Sequence, residues 1–243
     1  MERYTRWTAR FRSTGDALIL AIDMILAIDT THQWGSLALA RGDEIVEEVE
    51  LESPDGFAHV IYGHLEKLLE RHAVSLRDVA CFASAAGPGS FTGVRVSLAC
   101  VKGLAEACGK PAVAVSNLEA MASLGSAPLR AAVMDARRGE VYGAVYDGEG
   151  RIVVPEVVAG FAAWLETVPP GSVEFVYSGF TAFRELLAGT RSKCAPALAA
   201  PRALAAAIAR IAGCRLARGE AQDPAALDAN YVRRSDAELL WKE

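Results

Sequence analysis

The sequence has no cysteine framework: its five cysteines are odd in number and none forms a C-x-x-C pair. That excludes a disulfide scaffold and a thiolate zinc site of ordinary spacing, and it fits a reducing, cytoplasmic setting. There is no basic surplus either, because 25 Lys and Arg face 30 Asp and Glu for a net charge of -5. A broad electrostatic footprint for nucleic acid is therefore absent, and any contact with RNA needs a partner's help. No apolar run approaches the ~20 residues that cross a bilayer, and the N-terminus does not read as a secretory signal. Histidine is scarce, at four residues. What is present in quantity is apolar side chain, 52% of 243 residues, enough for a sizeable core in one large or two small subdomains.

Hydrophobic alternation predicts three strands, Ile25 to Asp29, Ser36 to Arg41 and Ile45 to Glu52, with a tight turn at Gly42-Asp43, as in an antiparallel meander. A helix from Phe57 to Arg71, a strand from Val79 to Ala85, a long helix from Thr92 to Cys108 and a strand from Ala112 to Val115 follow. The second half repeats that order: strands near 130–135, 141–147 and 151–154, a helix near 161–167, a strand at 173–178 and a helix at 181–187. Two βββαβα halves predict a duplicated α/β fold, divided at 24–115 and 116–243, and an Ala-rich helix over 201–217 is expected to pack across the body. Upstream, Ile19 to Asp23 reads Ile-Leu-Ala-Ile-Asp, as does Ile25 to Asp29. Residues 1–23 read as an extension with little folded structure, an Arg-rich targeting peptide being the alternative.

Between the fourth strand and the long helix lies Gly87-Pro88-Gly89-Ser90-Phe91-Thr92-Gly93-Val94-Arg95. Glycines there let backbone turn or be approached closely, and Ser90 or Thr92 can cap the helix, so backbone N–H groups can face a phosphate or a partner. A tight strand-to-helix connection that binds nothing is the other reading. Together with Ile25-Leu26-Ala27-Ile28-Asp29-Thr30-Thr31, Asp135-Ala136-Arg137-Arg138-Gly139-Glu140-Val141-Tyr142 and the tail from Asn230 to Glu238, this string resembles the TsaB (YeaZ) family, from Met24 to about the C-terminus. The order of elements resembles the ribonuclease-H-like fold doubled in actin-like ATPases.

The resemblance implies a noncatalytic subunit in threonylcarbamoyladenosine synthesis on tRNA, with a TsaD-like transferase and a TsaE-like ATPase as partners. It also admits a homodimer, tRNA contact only through the complex, and no membrane. No cofactor is firmly implied; ATP or ADP at a subunit boundary stays open, with Asp29, Thr30, Gly89, Ser90 and Asp135 as the candidate binding residues. In the superfamily a carboxylate ends the first strand of each half, here Asp29 and Asp135. The active pattern wants glycine soon after it, whereas this chain has Thr30-Thr31-His32 and Ala136-Arg137, which puts bulk where phosphates would approach. Each aspartate can equally serve its neighbouring turn. A stand-alone nucleotide-dependent enzyme using Asp29, Ser90 and Asp135 is the rival reading.

No catalytic or metal set is expected. His59 and His64, at i,i+5, project roughly 140° apart on a helix, whereas i,i+4 ligands lie about 40° apart. Ser90 is not in a Gly-x-Ser-x-Gly elbow, and Cys100 and Cys108 lie inside a helix. That long helix has two apolar faces: Val94, Leu98, Val101 and Ala105 on one, and Val96, Ala99, Cys100, Gly103 and Ala107 on the other, with Arg95, Lys102 and Glu106 in a narrow charged strip. Its expected neighbour, the helix from Phe57, contributes Val60 and Gly63. These seven small or apolar residues form the candidate partner interface, unless the C-terminal helix covers them.

Overall fold

Across the central strands of the first sheet, one face is lined mostly by large side chains and the other mostly by small ones. The computed structural model describes residues 23–181, 183–190, 192 and 195–233; residues 1–22 and the end of the tail, with the readings made of them, lie outside the described residues. Strand β1 (Met24–Asp29) is central in a five-stranded sheet with β2 (Trp34–Arg41), β3 (Glu44–Glu52), β4 (Val79–Ala85) and β5 (Ala112–Val115), in the order β3-β2-β1-β4-β5. The first three strands are antiparallel, and β1, β4 and β5 run parallel. Leu26, Ile28, Leu37, Leu39 and Phe82 join one core cluster. It includes Leu65 and Leu68 of helix α1 (Ile61–Arg71) and Val94, Leu98 and Val101 of helix α2 (Phe91–Cys108).

Because strand side chains alternate, the opposite face carries Ile25, Ala27, Ser36, Ala38, Ala40, Cys81 and Ala83, all fully buried. Burial pushes the Cys81 thiol up to about 12. Short side chains on this face let an alanine-rich helix late in the chain lie close to the sheet.

The second sheet repeats the plan. After helix α3 (Asn117–Ala122) come β6 (Leu129–Arg137), β7 (Glu140–Asp147), β8 (Ile152–Gly160), helix α4 (Phe161–Thr167), β9 (Val173–Ser178), helix α5 (Phe183–Ala188) and β10 (Ala197–Ala199), with strand order β10-β9-β6-β7-β8. Here β6, β7 and β8 are antiparallel, and β6, β9 and β10 parallel. Trp164, Phe175 and Phe183 build its core. The two sheets together are the duplicated ribonuclease-H-like α/β fold.

Helix α6 (Ala205–Ala217) packs on β1, β2, β4 and β5. Contacts divide the described chain into one unit of residues 23–117 with 202–230 and another of 118–201 with 231–233. The C-terminal helix therefore belongs to the first unit, although it follows the second in sequence. Its leading N–H groups are capped by the sheet rather than locally: Leu204 and Ala205 donate to Ser36 Oγ at 3.2 and 3.1 Å, and Ala206 donates to Glu48 Oε1 at 2.7 Å. Side-chain oxygens satisfy orphan donors at a helix start wherever in the chain they come from.

Some elements differ from the sequence pattern. Helix α1 begins at Ile61, not Phe57, because the Phe57 ring is buried at Gly35 and its carbonyl closes a turn by accepting from Val60 and Ile61 N–H. Strand β8 extends to Gly160 and holds Pro155, which an edge strand tolerates. Among the described residues no helix is long and apolar enough to cross a membrane.

Candidate functional site

The glycine loop is filled by the chain itself. Asp29 ends β1, and its Oδ1 accepts from Thr31 N–H at 2.8 Å and Thr31 Oγ1 at 2.6 Å. The turn so formed inserts between loop and sheet: Thr31 O accepts from Ser90 N–H at 2.7 Å, and Thr30 Oγ1 donates to Gly93 O at 2.7 Å. A Cβ on Gly89 would stand 2.5 Å from Thr31 O, and one on Gly93 2.0 Å from Thr30 O. Glycine is required at both positions by this contact alone. Ser90 caps α2, its Oγ accepting from Gly93 N–H at 3.3 Å.

Asn117, fully buried, closes the arrangement. Its Oδ1 accepts from Gly87 N–H at 3.0 Å, its own N–H donates to Gly87 O at 2.8 Å, and its Nδ2 donates to Thr31 Oγ1 at 2.6 Å. Thr31 Oγ1 has one proton, directed at Asp29, so both of its lone pairs accept: from Asn117 and from His32 Nδ1 at 2.8 Å. The N–H groups of Gly87, Ser90 and Gly93 are all engaged inside the chain. Asp29 is 1% exposed, and its Oδ2 has no hydrogen-bond partner among the described residues, with His32 Nδ1 4.0 Å away. An orphaned buried acceptor costs about 1–3 kcal/mol.

Asp135, the counterpart at the end of β6, is exposed, and its Oδ1 accepts from Arg137 N–H at 2.7 Å. Both aspartates thus serve their own turns. His59 lies exposed in the turn before α1 and His64 half-buried within it, and no cluster of three or more potential metal ligands occurs among the described residues.

The second face of α2 is open. Ala99, Gly103 and Ala107 are exposed and Val96 is half-buried. A Cβ built on Gly103 meets nothing within 4 Å, and the same holds for Gly63 on α1. The C-terminal helix lies on the sheet rather than over this stripe. Two expected contacts sit differently. Cys100 is only 4% exposed, burial raises its thiol pKa, and Tyr62 of α1, 57% exposed, shares a hydrogen bond with it. Val60 is half-buried and packs against the core. Helical projection placed Cys100 on the open face because it gives angles about one axis and cannot see a side chain reaching across from the next helix. Tyr62 is the surface aromatic that takes its place, and its position on a predicted helix beside Gly63 was the available signal. At the N-terminal end of α2, the Arg95 guanidinium stacks 3.6 Å from the Phe91 ring centroid.

The family model described as TsaD, tRNA N6-adenosine threonylcarbamoyltransferase, matches residues 55–231. The chain is similar to the tRNA threonylcarbamoyladenosine biosynthesis protein TsaB of Bacillus subtilis, at 34% identity over 58% of this chain and 64% of that one. It is also similar to the protein of that name in Escherichia coli, at 37% identity over 50% of this chain and 54% of that one. Each match therefore spans less than two thirds of the curated relative. Among solved structures, YeaZ from Pseudomonas aeruginosa superposes with a TM-score of 0.71 at 27% identity, covering 86% of this chain and 99% of that one.

Proposed function

Because the chain belongs to the TsaD-type threonylcarbamoyltransferase family, in its TsaB (YeaZ) branch, we propose that it acts as a noncatalytic subunit in threonylcarbamoylation of tRNA, binding and supporting a TsaD-like transferase. The observation that carries this reading is the uncovered stripe of α2, where Ala99, Gly103 and Ala107 leave room for a second helix to approach closely. A standard interface buries roughly 800 Å² per partner, and α1 with Tyr62 broadens the stripe toward that size. Small residues set how near the partner comes, and Tyr62 supplies the rigid aromatic contact that interfaces favour.

A supporting role is favoured by the state of the glycine loop, in which the N–H groups of Gly87, Ser90 and Gly93 already serve Asn117, Thr31 and the helix cap. The transferase would bring the chemistry, a TsaE-like ATPase would complete the machinery, and tRNA would be reached through the assembly. A homodimer through the same stripe would compete with the transferase.

The test is copurification with the cognate transferase, followed by tRNA modification with and without this chain. Gly103→Trp is expected to abolish copurification and modification while the isolated chain melts as before. Retention of the complex by Gly103→Trp would move the interface elsewhere.

A further inference from the structure

At the tip of the β6–β7 hairpin, Arg137, Arg138 and Gly139 have φ of 63°, 57° and 78°. Glycine adopts that region freely, but two successive arginines hold it only where their surroundings fix the backbone. Both arginines are exposed, so core packing does not call for them, and Asn-Gly would close such a turn with less strain. The restraint comes from the flanks. Asp135 takes the Arg137 N–H from one side. Arg233 spans the turn: Nη1 donates to Ala136 O at 2.9 Å, Nη2 donates to the Glu140 carboxylate, and the guanidinium lies 5.5 Å from the Tyr142 ring centroid. A partly exposed ion pair alone contributes little. A planar fork that ties the residue before the turn to the residue after it fixes geometry.

We infer that Arg233 is a positioning residue for the reaction of the complex, clamping Ala136 to Glu140 so that the hairpin keeps Arg137 and Arg138 in the left-handed conformation the assembly uses. This rests on the reading of the chain as a supporting subunit. The clamp lies apart from the α1–α2 stripe in the sequence and in its contacts, so loss of positioning and loss of pairing separate experimentally.

The full chain is tested as Arg233→Gln, as Arg233→Lys and as Glu140→Gln. Trypsin cleavage after Arg137 and Arg138 is expected to quicken about tenfold in Arg233→Gln, since releasing a local restraint raises the opened population. With the transferase present, the maximal rate of threonylcarbamoyladenosine formation should fall about tenfold while the half-saturating concentration of this chain stays unchanged, a pattern that removes an interaction acting on turnover alone. Arg233→Lys keeps the charge opposite Glu140 but loses the planar fork, so it should follow Arg233→Gln in both readouts, and Glu140→Gln, which keeps an acceptor without the charge, should change both less. Unchanged cleavage, an unchanged maximal rate, or an Arg233→Lys chain indistinguishable from the unsubstituted one overturns the clamp. Failure of the unsubstituted chain to bind the transferase overturns the supporting role instead, and the cleavage arm still decides the hairpin.

Discussion

Replacing Gly103 by alanine should strengthen the isolated chain and weaken its complex, a divergence that few other accounts of this glycine produce. Gly103 lies within α2, and its Cβ position is open. Alanine in a helix interior is favoured over glycine by about 1 kcal/mol, and for a chain of this size each kcal/mol raises the melting temperature by roughly 2–4 °C. If a partner helix packs at that point, the added methyl must be accommodated in a close contact, at a cost of about 1–3 kcal/mol. That corresponds to roughly a 5- to 150-fold rise in Kd. Thermal melting of the chain at a dilution where it is monomeric, beside titration calorimetry with the transferase, gives both signs. A chain that is destabilised by Gly103→Ala, or a complex of unchanged affinity, refutes the argument, because either result means that space at Gly103 is not kept for a neighbour.

Other consequences follow from the capping, charge and loop geometry. Ser36→Ala should cost about 1–2 kcal/mol in urea unfolding, since it leaves the Leu204 and Ala205 N–H groups without their acceptor. Hydrogen bonds from Arg71 and then His72 hold Glu47 below the usual carboxylate range. A depressed folded pKa means that this stabilisation is present above the unfolded value, near 4.5, and is lost as pH falls through the folded one; Glu47→Gln should flatten that part of the acid unfolding profile. Titration of magnesium ATP into the isolated chain should show neither micromolar saturation nor turnover. Binding that disappears in Asp29→Ala would instead favour a nucleotide enzyme.

Most strands of both sheets and the two apolar faces of α2 are written in local periodicity and so were readable, whereas the three-residue β10 and the second half of β8, which holds Pro155, were not. Leu26 and Ile28 face one way and Ile25 and Ala27 the other because side chains alternate, whatever the rest of the chain does. The glycine loop was legible as a place of close approach, but not what approaches: Thr30 and Thr31 are some sixty residues away in sequence, and local pattern cannot distinguish a threonine carbonyl from a phosphate. Asn117 was invisible for the same reason, its side chain being defined by Gly87 and Thr31 together. Neither the burial of Cys100 under Tyr62 nor the span of Arg233 across the hairpin follows from any single element. Each depends on two segments meeting.

The long-range capping of α6 has a consequence for synthesis of the chain. A ribosome delivers β1 to β5 long before residue 205 emerges, so one side of the first sheet, lined by Ile25, Ala27, Ala38 and Ala83, waits uncovered while residues 118–201 are made. Ser36 and Glu48 then act as the receiving end for a late-arriving helix. Released chains truncated before residue 202 should consequently be chaperone clients, and those extending past residue 230 should not.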